Sequence, residues 1–338
     1  MKRKNVKFLS AFLWAVVGGL AMTACSGNDR GGDIPDPSDT YSPYVTKVVD
    51  FCPAPGQFTN SIPGWDEGDT QETMNQKALD AIGYNKKGLV SLGSFGGYIV
   101  VGFDHTIENV SGQRDFRILG NAFYSNDNPN PNPPRDGGSC EPGIVMVAYD
   151  KNKNGKPDED EWYELAGSEY SKETTLKKYK VTYFRPDENK TPPETAEGSE
   201  IIDPEYVRWE DNQGNSGYIA KNSYHKNNSY FPQWIEGETL VFEGTLLPDN
   251  AVDEGLIHGK GSYWVLYAYD WGYADNRLNT EEGSTFDIDW AVDEEGEPVS
   301  LPGIDFVKVY TGVLQTCGAI GDTSTEVGGV EDLHLLKK

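Results

Sequence analysis

The sequence predicts an all-β protein, specifically a jelly-roll-like β-sandwich with long loops and one short helix. Apolar residues occur mainly in short runs, such as YIVVGF at 98–103 and GIVMVAY at 143–149, and helical spacing is rare. Gly, Pro, Asn and Asp separate these runs, as in strands joined by turns. Aromatic residues make up 12 % of the chain, so there is enough apolar surface for a packed core. Many short strands of this kind are typical of sandwiches and jelly rolls.

The same pattern locates the individual strands. We predict strands at 89–92, 98–103, 143–149, 162–165, 179–184, 239–242, 263–269 and 305–310. Polar, Pro-rich sequence at 126–138 and 186–200 predicts two long surface loops. The remaining sequence shows neither an internal repeat nor a clear domain boundary. We therefore predict one ligand-binding β-sandwich domain over residues 45–338.

The short helix is predicted at residues 69–82. Met74, Ala78 and Ile82 recur there every four residues, which places them on one face of a helix. Gly83 follows directly and is a typical helix stop. The apolar face is expected to pack against the sandwich.

The first residues have the features of a secretion signal. Four basic residues are followed by the nearly uncharged run FLSAFLWAVVGGLAM. This run is shorter than the roughly 20 residues that a membrane-spanning helix needs, and small residues precede Cys25. We predict a lipoprotein signal peptide at 1–24 and lipidation at Cys25, where two acyl chains would give stable membrane attachment.

Residues 25–44 are predicted to be a flexible tether. The sequence from Ser26 onward, SGNDRGGDIPDPSDTYSP, is rich in Gly, Pro, Ser and Asp and has almost no apolar surface to bury. Such a segment would hold the folded domain away from the membrane surface.

The chain is strongly acidic. It has 29 basic and 54 acidic residues, and the signal contains four of the basic ones and no acidic one, so the mature chain would carry a net charge of −29. A surface of this charge repels phosphate backbones, which argues against nucleic acid as a partner. Numerous carboxylates are compatible with calcium sites.

The strongest local motif is DKNKNGKPDEDE at 150–161, which matches the spacing of a calcium-binding loop. Calcium prefers about 6–8 oxygen ligands, and Gly155 stands where the loop must turn sharply. The predicted ligands are Asp150, Asn152, Asn154, Lys156 through its backbone carbonyl, Asp158 and Glu161. Strands rather than helices are predicted on both sides, so we expect structural calcium that joins two strands. The alternative is a solvated Asp- and Asn-rich turn without metal.

Aromatic residues in turn-rich sequence are the candidate ligand contacts, because their faces stack on sugars and on flat macrocycles. One group lies in the acidic segment 270–276, which is either a turn that packs its Trp on the body or a ligand platform with a second ion site. The candidate residues are Trp271, Tyr273, Tyr224, His225, Tyr230 and Trp234. Each of these aromatic residues alone would more often be a core residue.

Neither a catalytic motif nor a cysteine framework is evident. The chain has no GxSxG, HExxH, phosphate-loop or dinucleotide motif, so we predict that it is not an enzyme. Beyond Cys25 it has Cys52, Cys140 and Cys317, an odd number whose pairing the sequence leaves open.

Several motifs together resemble a group of Bacteroidetes cell-surface lipoproteins. They are PAPGQF at 53–58, SLGSFGGYIVVGFDH at 91–105, DFRILGNAF at 115–123, EPGIVMVAYD at 141–150, WYELAGSEY at 162–170, VTYFRP at 181–186, WGYADN at 271–276 and IDFVKVYTG at 304–312. The resemblance extends from about residue 45 to the end, with Cys140 where Ser is expected. It implies a jelly-roll-like β-sandwich on the outside of the outer membrane, often encoded beside TonB-dependent transporters, with corrinoid (vitamin B12) uptake as the role of some relatives. Asp29 and Asp33 resemble the acidic export signals of such lipoproteins.

These inferences lead to one leading functional hypothesis and two alternatives. The leading hypothesis is a lipid-anchored outer-membrane protein, facing the exterior, that binds a scarce nutrient for a TonB-dependent transporter. A corrinoid is the best single candidate for the ligand. The first alternative is a calcium-stabilised glycan-binding module, and the second is a structural or adhesive surface protein without a small ligand.

Overall fold

The computed structural model describes residues 40–336, all of which belong to one compact unit, Pro37–Lys338. Strands account for 36 % of the structure and helices for 11 %, which confirms the predicted all-β class. The predicted signal peptide, Cys25 and most of the predicted tether lie outside the described residues. Among the described residues, no helix is long and apolar enough to cross a membrane.

Nineteen strands are described, and we number them in chain order. They are β1 (Lys47–Cys52), β2 (Val90–Ser91), β3 (Tyr98–Glu108), β4 (Phe116–Leu119), β5 (Phe123–Tyr124), β6 (Gly137–Ser139), β7 (Gly143–Ala148), β8 (Trp162–Leu165), β9 (Leu176–Phe184), β10 (Ile201–Asp211), β11 (Ser216–Asn222), β12 (Thr239–Leu246), β13 (Ala251–Asp253), β14 (Trp264–Tyr267), β15 (Thr285–Phe286), β16 (Ala291–Val292), β17 (Gly303–Thr311), β18 (Glu326–Val327) and β19 (Gly329–Asp332). The helices are α1 (Gln71–Ile82), α2 (Glu254–Ile257) and α3 (Leu333–Leu336).

The described strands form five antiparallel sheets. The largest has the order β1-β3-β17-β7-β8-β16, and two four-stranded sheets have the orders β11-β10-β9-β12 and β13-β14-β6-β5. Two smaller sheets contain β15-β4-β19 and β18-β2. This division into small sheets suggests a propeller-like arrangement, and the predicted jelly roll is not confirmed.

The six-stranded sheet is buried on both faces. Because side chains alternate along a strand, neighbouring residues of β3, β7 and β17 enter two different cores. One core contains Ile99, Val101, Val145, Val147, Val307 and Val309, together with Phe116 and Phe286. The other contains Tyr98, Ile144, Met146 and Tyr310, packed with Tyr179, Val181 and Tyr183 of β9 and Phe242 of β12. The fully apolar runs in the sequence follow from this two-sided burial.

The predicted helix is confirmed as α1. Thr70 is its N-cap and accepts a hydrogen bond from the backbone N–H of Thr73, whose hydroxyl in turn bonds the Thr70 backbone N–H. Met74, Ala78 and Ile82 are buried in the first core, as their spacing predicts. The helix therefore covers one face of the six-stranded sheet.

The three cysteines of the described residues are free thiols. Cys140 and Cys317 are buried and Cys52 is half-buried. Burial raises the pKa of each thiol to about 12, so all three are protonated at neutral pH and poorly nucleophilic.

Candidate ligand and cation site

A cavity of about 620 Å³ opens between the β5–β6 ribbon, β14, the turn after β11 and the segment that precedes β18. Its wall includes Phe58, Phe123, Tyr224, His225, Trp264 and Leu266, and its acidic side chains are Glu141, Asp322 and Glu326. A pocket of this size, with mixed aromatic and polar lining, is typical of small-molecule sites.

Three carboxylates converge at the acidic part of the cavity. Oxygen atoms of Glu141, Asp275 and Glu326 all lie within 4.8 Å of one another. A fourth carboxylate, Asp322, lines the same cavity and raises the pKa of Glu141 through its charge. We refer to Glu141, Asp275, Asp322 and Glu326 as the carboxylate cluster.

Backbone N–H groups hold Asp275 at the centre of the cluster. Its Oδ1 accepts hydrogen bonds from the N–H groups of Asn121 and Ala122 at 2.7 and 2.8 Å, and its Oδ2 accepts one from Glu326 at 2.9 Å. Gly120 makes room for this arrangement, because a Cβ at that position would lie 2.3 Å from Asp275 Oδ1. Asp275 has φ +51°, a left-handed conformation that Asp tolerates better than most residues.

The other carboxylates have fewer partners. Glu141 accepts hydrogen bonds from the Ser324 N–H at 3.4 Å and the Ser139 hydroxyl at 3.2 Å. Asp322 Oδ1 accepts one from the Gln57 N–H at 3.1 Å. Asp322 Oδ2 and Glu326 Oε1 are buried and have no hydrogen-bond partner among the described residues.

Burial and mutual repulsion make the cluster hard to ionise. Burial raises the pKa of Glu141, Asp275 and Glu326, and the charges of neighbouring carboxylates raise that of Glu141 and Glu326 further. Burial also raises the pKa of Asp322 to about 6. Such a cluster can share protons or hold a cation, since several adjacent buried charges are otherwise too costly.

An aromatic rim surrounds the cavity opening. Tyr224 and Phe123 are more than half exposed, at 59 % and 56 %. The His225 ring meets the Phe58 ring edge to face, with 4.6 Å between the ring centroids. Burial lowers the pKa of His225, which favours the neutral imidazole at neutral pH.

Of the predicted ligand contacts, the structure brings only Tyr224 and His225 to this cavity. Tyr230, Trp234 and Tyr273 are core residues, at most 9 % exposed, so we remove them from the candidate site. Their polar atoms have partners inside the protein: for example, the Trp234 indole N–H donates to Gln71 Oε1 at 3.2 Å. Apolar packing with a satisfied polar atom explains the burial of these aromatic residues.

The acidic segment 270–276 packs its Trp on the body of the protein and contributes one carboxylate to the cluster. Trp271 packs on Trp290 with 4.6 Å between ring centroids, as a turn packed on the body requires. Asp275 is a member of the carboxylate cluster, whereas Asp270 is largely exposed. The segment therefore supplies one cluster member, and Trp271 does not line the cavity.

The loop 150–161 connects β7 to β8 and is folded around its own polar side chains. Asp150 accepts hydrogen bonds from the N–H groups of Asn154 and Gly155, and Glu161 accepts them from Lys151 and Asp158. The amide groups of Asn152 and Asn154 donate to Asp158 Oδ2. Asp150 and Glu161 are buried, whereas the intervening residues are mostly exposed. The predicted calcium ligands, including Lys156, thus lie around a single turn. Gly155 in this turn has φ +77°.

Sequence reasoning missed Glu141, Asp322 and Glu326. Glu141 begins one of the motifs that carry the family resemblance, and its position directly before a buried strand was a usable signal. Asp322 and Glu326 lie in GDTSTEVGG, where short polar residues give no indication of burial. Only the tertiary fold brings these residues beside Asp275.

No protein-family model matches the chain, and no curated protein is similar to it at a significant level.

Proposed function

We propose that this protein is a lipid-anchored surface protein of the outer membrane that captures a scarce nutrient for a TonB-dependent transporter. Cys25 would carry the lipid, and a jelly-roll-like body would present the ligand site to the exterior. Face-to-face packing of the six-stranded sheet on β9 and β12 supports such a layered body. The proposal describes a binding protein without a catalytic role.

The cavity is the observation that carries the proposal. It unites two predicted ligand contacts, Tyr224 and His225, with Phe58, Phe123 and Trp264 in one opening. Exposed aromatic residues provide large contact areas and lose little side-chain freedom on binding. Two of these side chains are more than half exposed, so the rim is available to a ligand.

A corrinoid is the leading ligand. Its flat macrocycle offers a face for Tyr224 and Phe123, and its amide fringe can bond polar groups such as the exposed Asn121 at the cavity wall. The family resemblance supports this ligand class.

Calorimetry with cyanocobalamin, with calcium present, tests the proposal. We expect one-to-one binding that weakens about fivefold in Tyr224→Ala, since one stacking contact is worth about 1 kcal/mol. Tyr84→Ala is the matched control, because Tyr84 is 58 % exposed and does not line the cavity. Absence of binding at tens of micromolar, or equal weakening by both substitutions, would contradict the proposal.

A glycan is the second candidate ligand, favoured by the carboxylate cluster. Carboxylates bond sugar hydroxyl groups, and aromatic residues stack on the apolar faces of sugar rings. A glycan array separates the two candidates: binding on the array that is lost in Tyr224→Ala, without any heat from cyanocobalamin, would assign the cavity to glycans.

A further inference from the structure

We propose that the carboxylate cluster is a divalent-cation site, with Ca²⁺ as its ion, distinct from the loop 150–161. The site lies at the acidic part of the cavity and takes its ligands from three separate regions of the chain: Glu141 before β7, Asp275 after β14, and Glu326 in β18. It is therefore formed by the tertiary fold and not by a local motif.

The first argument is that the described residues give the cluster no cationic partner. Asp275, Asp322 and Glu326 are at most 6 % exposed. None of the ion pairs found among the described residues includes a member of the cluster, although lysines and arginines pair with acidic residues elsewhere on the surface. Buried carboxylates normally have a cationic partner or a metal, because an unpaired buried charge is costly. A cation is the partner that this cluster lacks.

The second argument is the two free oxygen atoms. Asp322 Oδ2 and Glu326 Oε1 are fully buried without hydrogen-bond partners, in side chains that line the cavity. Nearly all buried polar atoms in proteins have a partner, so two orphaned acceptors in one cluster require an explanation. Gly56 preserves the space around one of them, since a Cβ there would lie 2.5 Å from Asp322 Oδ2. Glu326 is one of the three convergent carboxylates, and its free Oε1 is the acceptor that a bound cation would satisfy.

The third argument is geometry. Ligand oxygens of Glu141, Asp275 and Glu326 lie within 4.8 Å of one another. Calcium–oxygen distances are about 2.3–2.6 Å, so ligands on opposite sides of one ion are separated by about 5 Å. The three oxygens can thus bind one ion with only small side-chain movements.

The donor set favours Ca²⁺ among the common cations. Glu141, Asp275 and Glu326 all supply carboxylate oxygen, and the hydroxyl groups of Ser139 and Ser324 are close by. Hard oxygen ligands suit Ca²⁺, Mg²⁺ and Mn²⁺ and do not select zinc or copper. Ca²⁺ accepts irregular coordination, whereas Mg²⁺ requires a near-ideal octahedron.

The site itself does not depend on the proposed nutrient, because metal binding can be measured with the metal alone. Its consequence for the ligand does rest on the proposed function: an ion at this position would face the cavity, where ligand oxygens could complete its coordination.

Calcium binding to the full-length protein tests the site. The protein is freed of metal with a chelator and then titrated with CaCl₂ in calorimetry and equilibrium dialysis. We expect Glu326→Gln to bind one calcium fewer per chain, or to bind it more than tenfold more weakly, since even outer-shell substitutions cost about 10–100-fold in metal affinity. Asp158→Asn in the loop is the matched control and should leave this site intact.

Two outcomes would overturn the proposal. One is the same calcium stoichiometry and affinity in Glu326→Gln as in the unmodified protein. The other is loss of the same binding event in Asp158→Asn, which would assign that event to the loop. If Glu326→Gln fails to fold, Glu141→Gln repeats the test, since Glu141 is another of the three convergent carboxylates and is less buried than the other two.

Discussion

At the scale of single residues, His105 illustrates how two carboxylates control one imidazole. Its Nδ1 lies 2.9 Å from Asp104 Oδ1 and its Nε2 lies 2.9 Å from Asp332 Oδ2. Burial alone would lower the pKa of His105, but the hydrogen bonds to Asp332 and Asp104 outweigh this and raise it above its ordinary value of 6.5. Both ring nitrogens of His105 therefore have carboxylate partners.

We predict that the stabilisation from His105 depends on pH. Because the folded pKa is raised, the contribution is fully present below about pH 6.5 and is lost as the pH rises through the folded pKa. His105→Gln should therefore lower the free energy of unfolding by about 1–2 kcal/mol at pH 5.5 and by less at pH 8.5. Urea unfolding of both proteins across this range measures the difference.

His225→Gln provides a control of opposite sign. Burial lowers the pKa of His225, so the stability it contributes is present above about pH 6.5 and is lost as the pH falls. A stability difference for His105→Gln that stays constant or grows with rising pH would contradict the interpretation of its ion pairs.

At the residue scale, two of the predicted ligand contacts line the cavity and others are buried in the cores. Tyr224 and His225 follow a strand in polar sequence, and both reach the cavity. Tyr230 and Trp234 occur a few residues later in similar sequence but turn inward, because their rings fill the cores on either side of the segment. The sequence alone does not show which aromatic rings reach a core, so it does not distinguish the exposed residues of this segment from the buried ones.

At the scale of elements, prediction worked best for strands with buried faces. The predicted run 143–149 corresponds to β7, and 162–165 is identical to β8. The sequence analysis missed the hairpin of β10 and β11. Apolar residues there are interrupted by many charged ones, as in IIDPEYVRWED, and register shifts interrupt the pairing of the two strands. The loop predicted at 126–138 extends two residues too far, since Gly137 and Gly138 belong to β6 and pair with β14.

We predict that calcium bound at the loop 150–161 stabilises the fold by joining β7 to β8. Calcium at about 100 times its dissociation constant should add about 2.7 kcal/mol, which raises the melting temperature by roughly 5 °C or more. The measurement is thermal unfolding with calcium and with a chelator, in the Glu326→Gln background, so that the cavity cluster does not contribute.

Within this loop, Asp150→Asn should abolish the calcium-dependent shift. Lys156→Ala is the matched control: its side chain is not a predicted ligand, and the backbone carbonyl remains, so the shift should persist. An equal melting temperature with calcium and with chelator would rule out structural calcium at the loop and leave a solvated turn.

At the scale of the whole molecule, the acidic composition of the chain and the carboxylate cluster of the cavity both favour cations. A surplus of acidic residues attracts cations to the surface, and the carboxylate cluster concentrates that charge in a water-poor site. The composition is therefore compatible with cation sites in general terms. It did not predict the position of the cluster, since Asp275 and Glu326 are 51 residues apart in sequence and meet only after folding.

The final prediction concerns the attachment of the whole molecule to the membrane. Cys25 follows the small residues of the predicted lipoprotein signal, so its substitution should block lipidation and release the protein from the membrane fraction. Cys25→Ala is compared with Cys52→Ala, which removes a thiol of raised pKa inside the folded domain and should leave attachment unchanged. Incorporation of labelled palmitate and membrane fractionation measure the effect, and protease treatment of intact cells reports exposure. Retention of both label and membrane attachment in Cys25→Ala would refute lipid anchoring, whereas protection from protease would place an anchored protein on the inner side of the outer membrane.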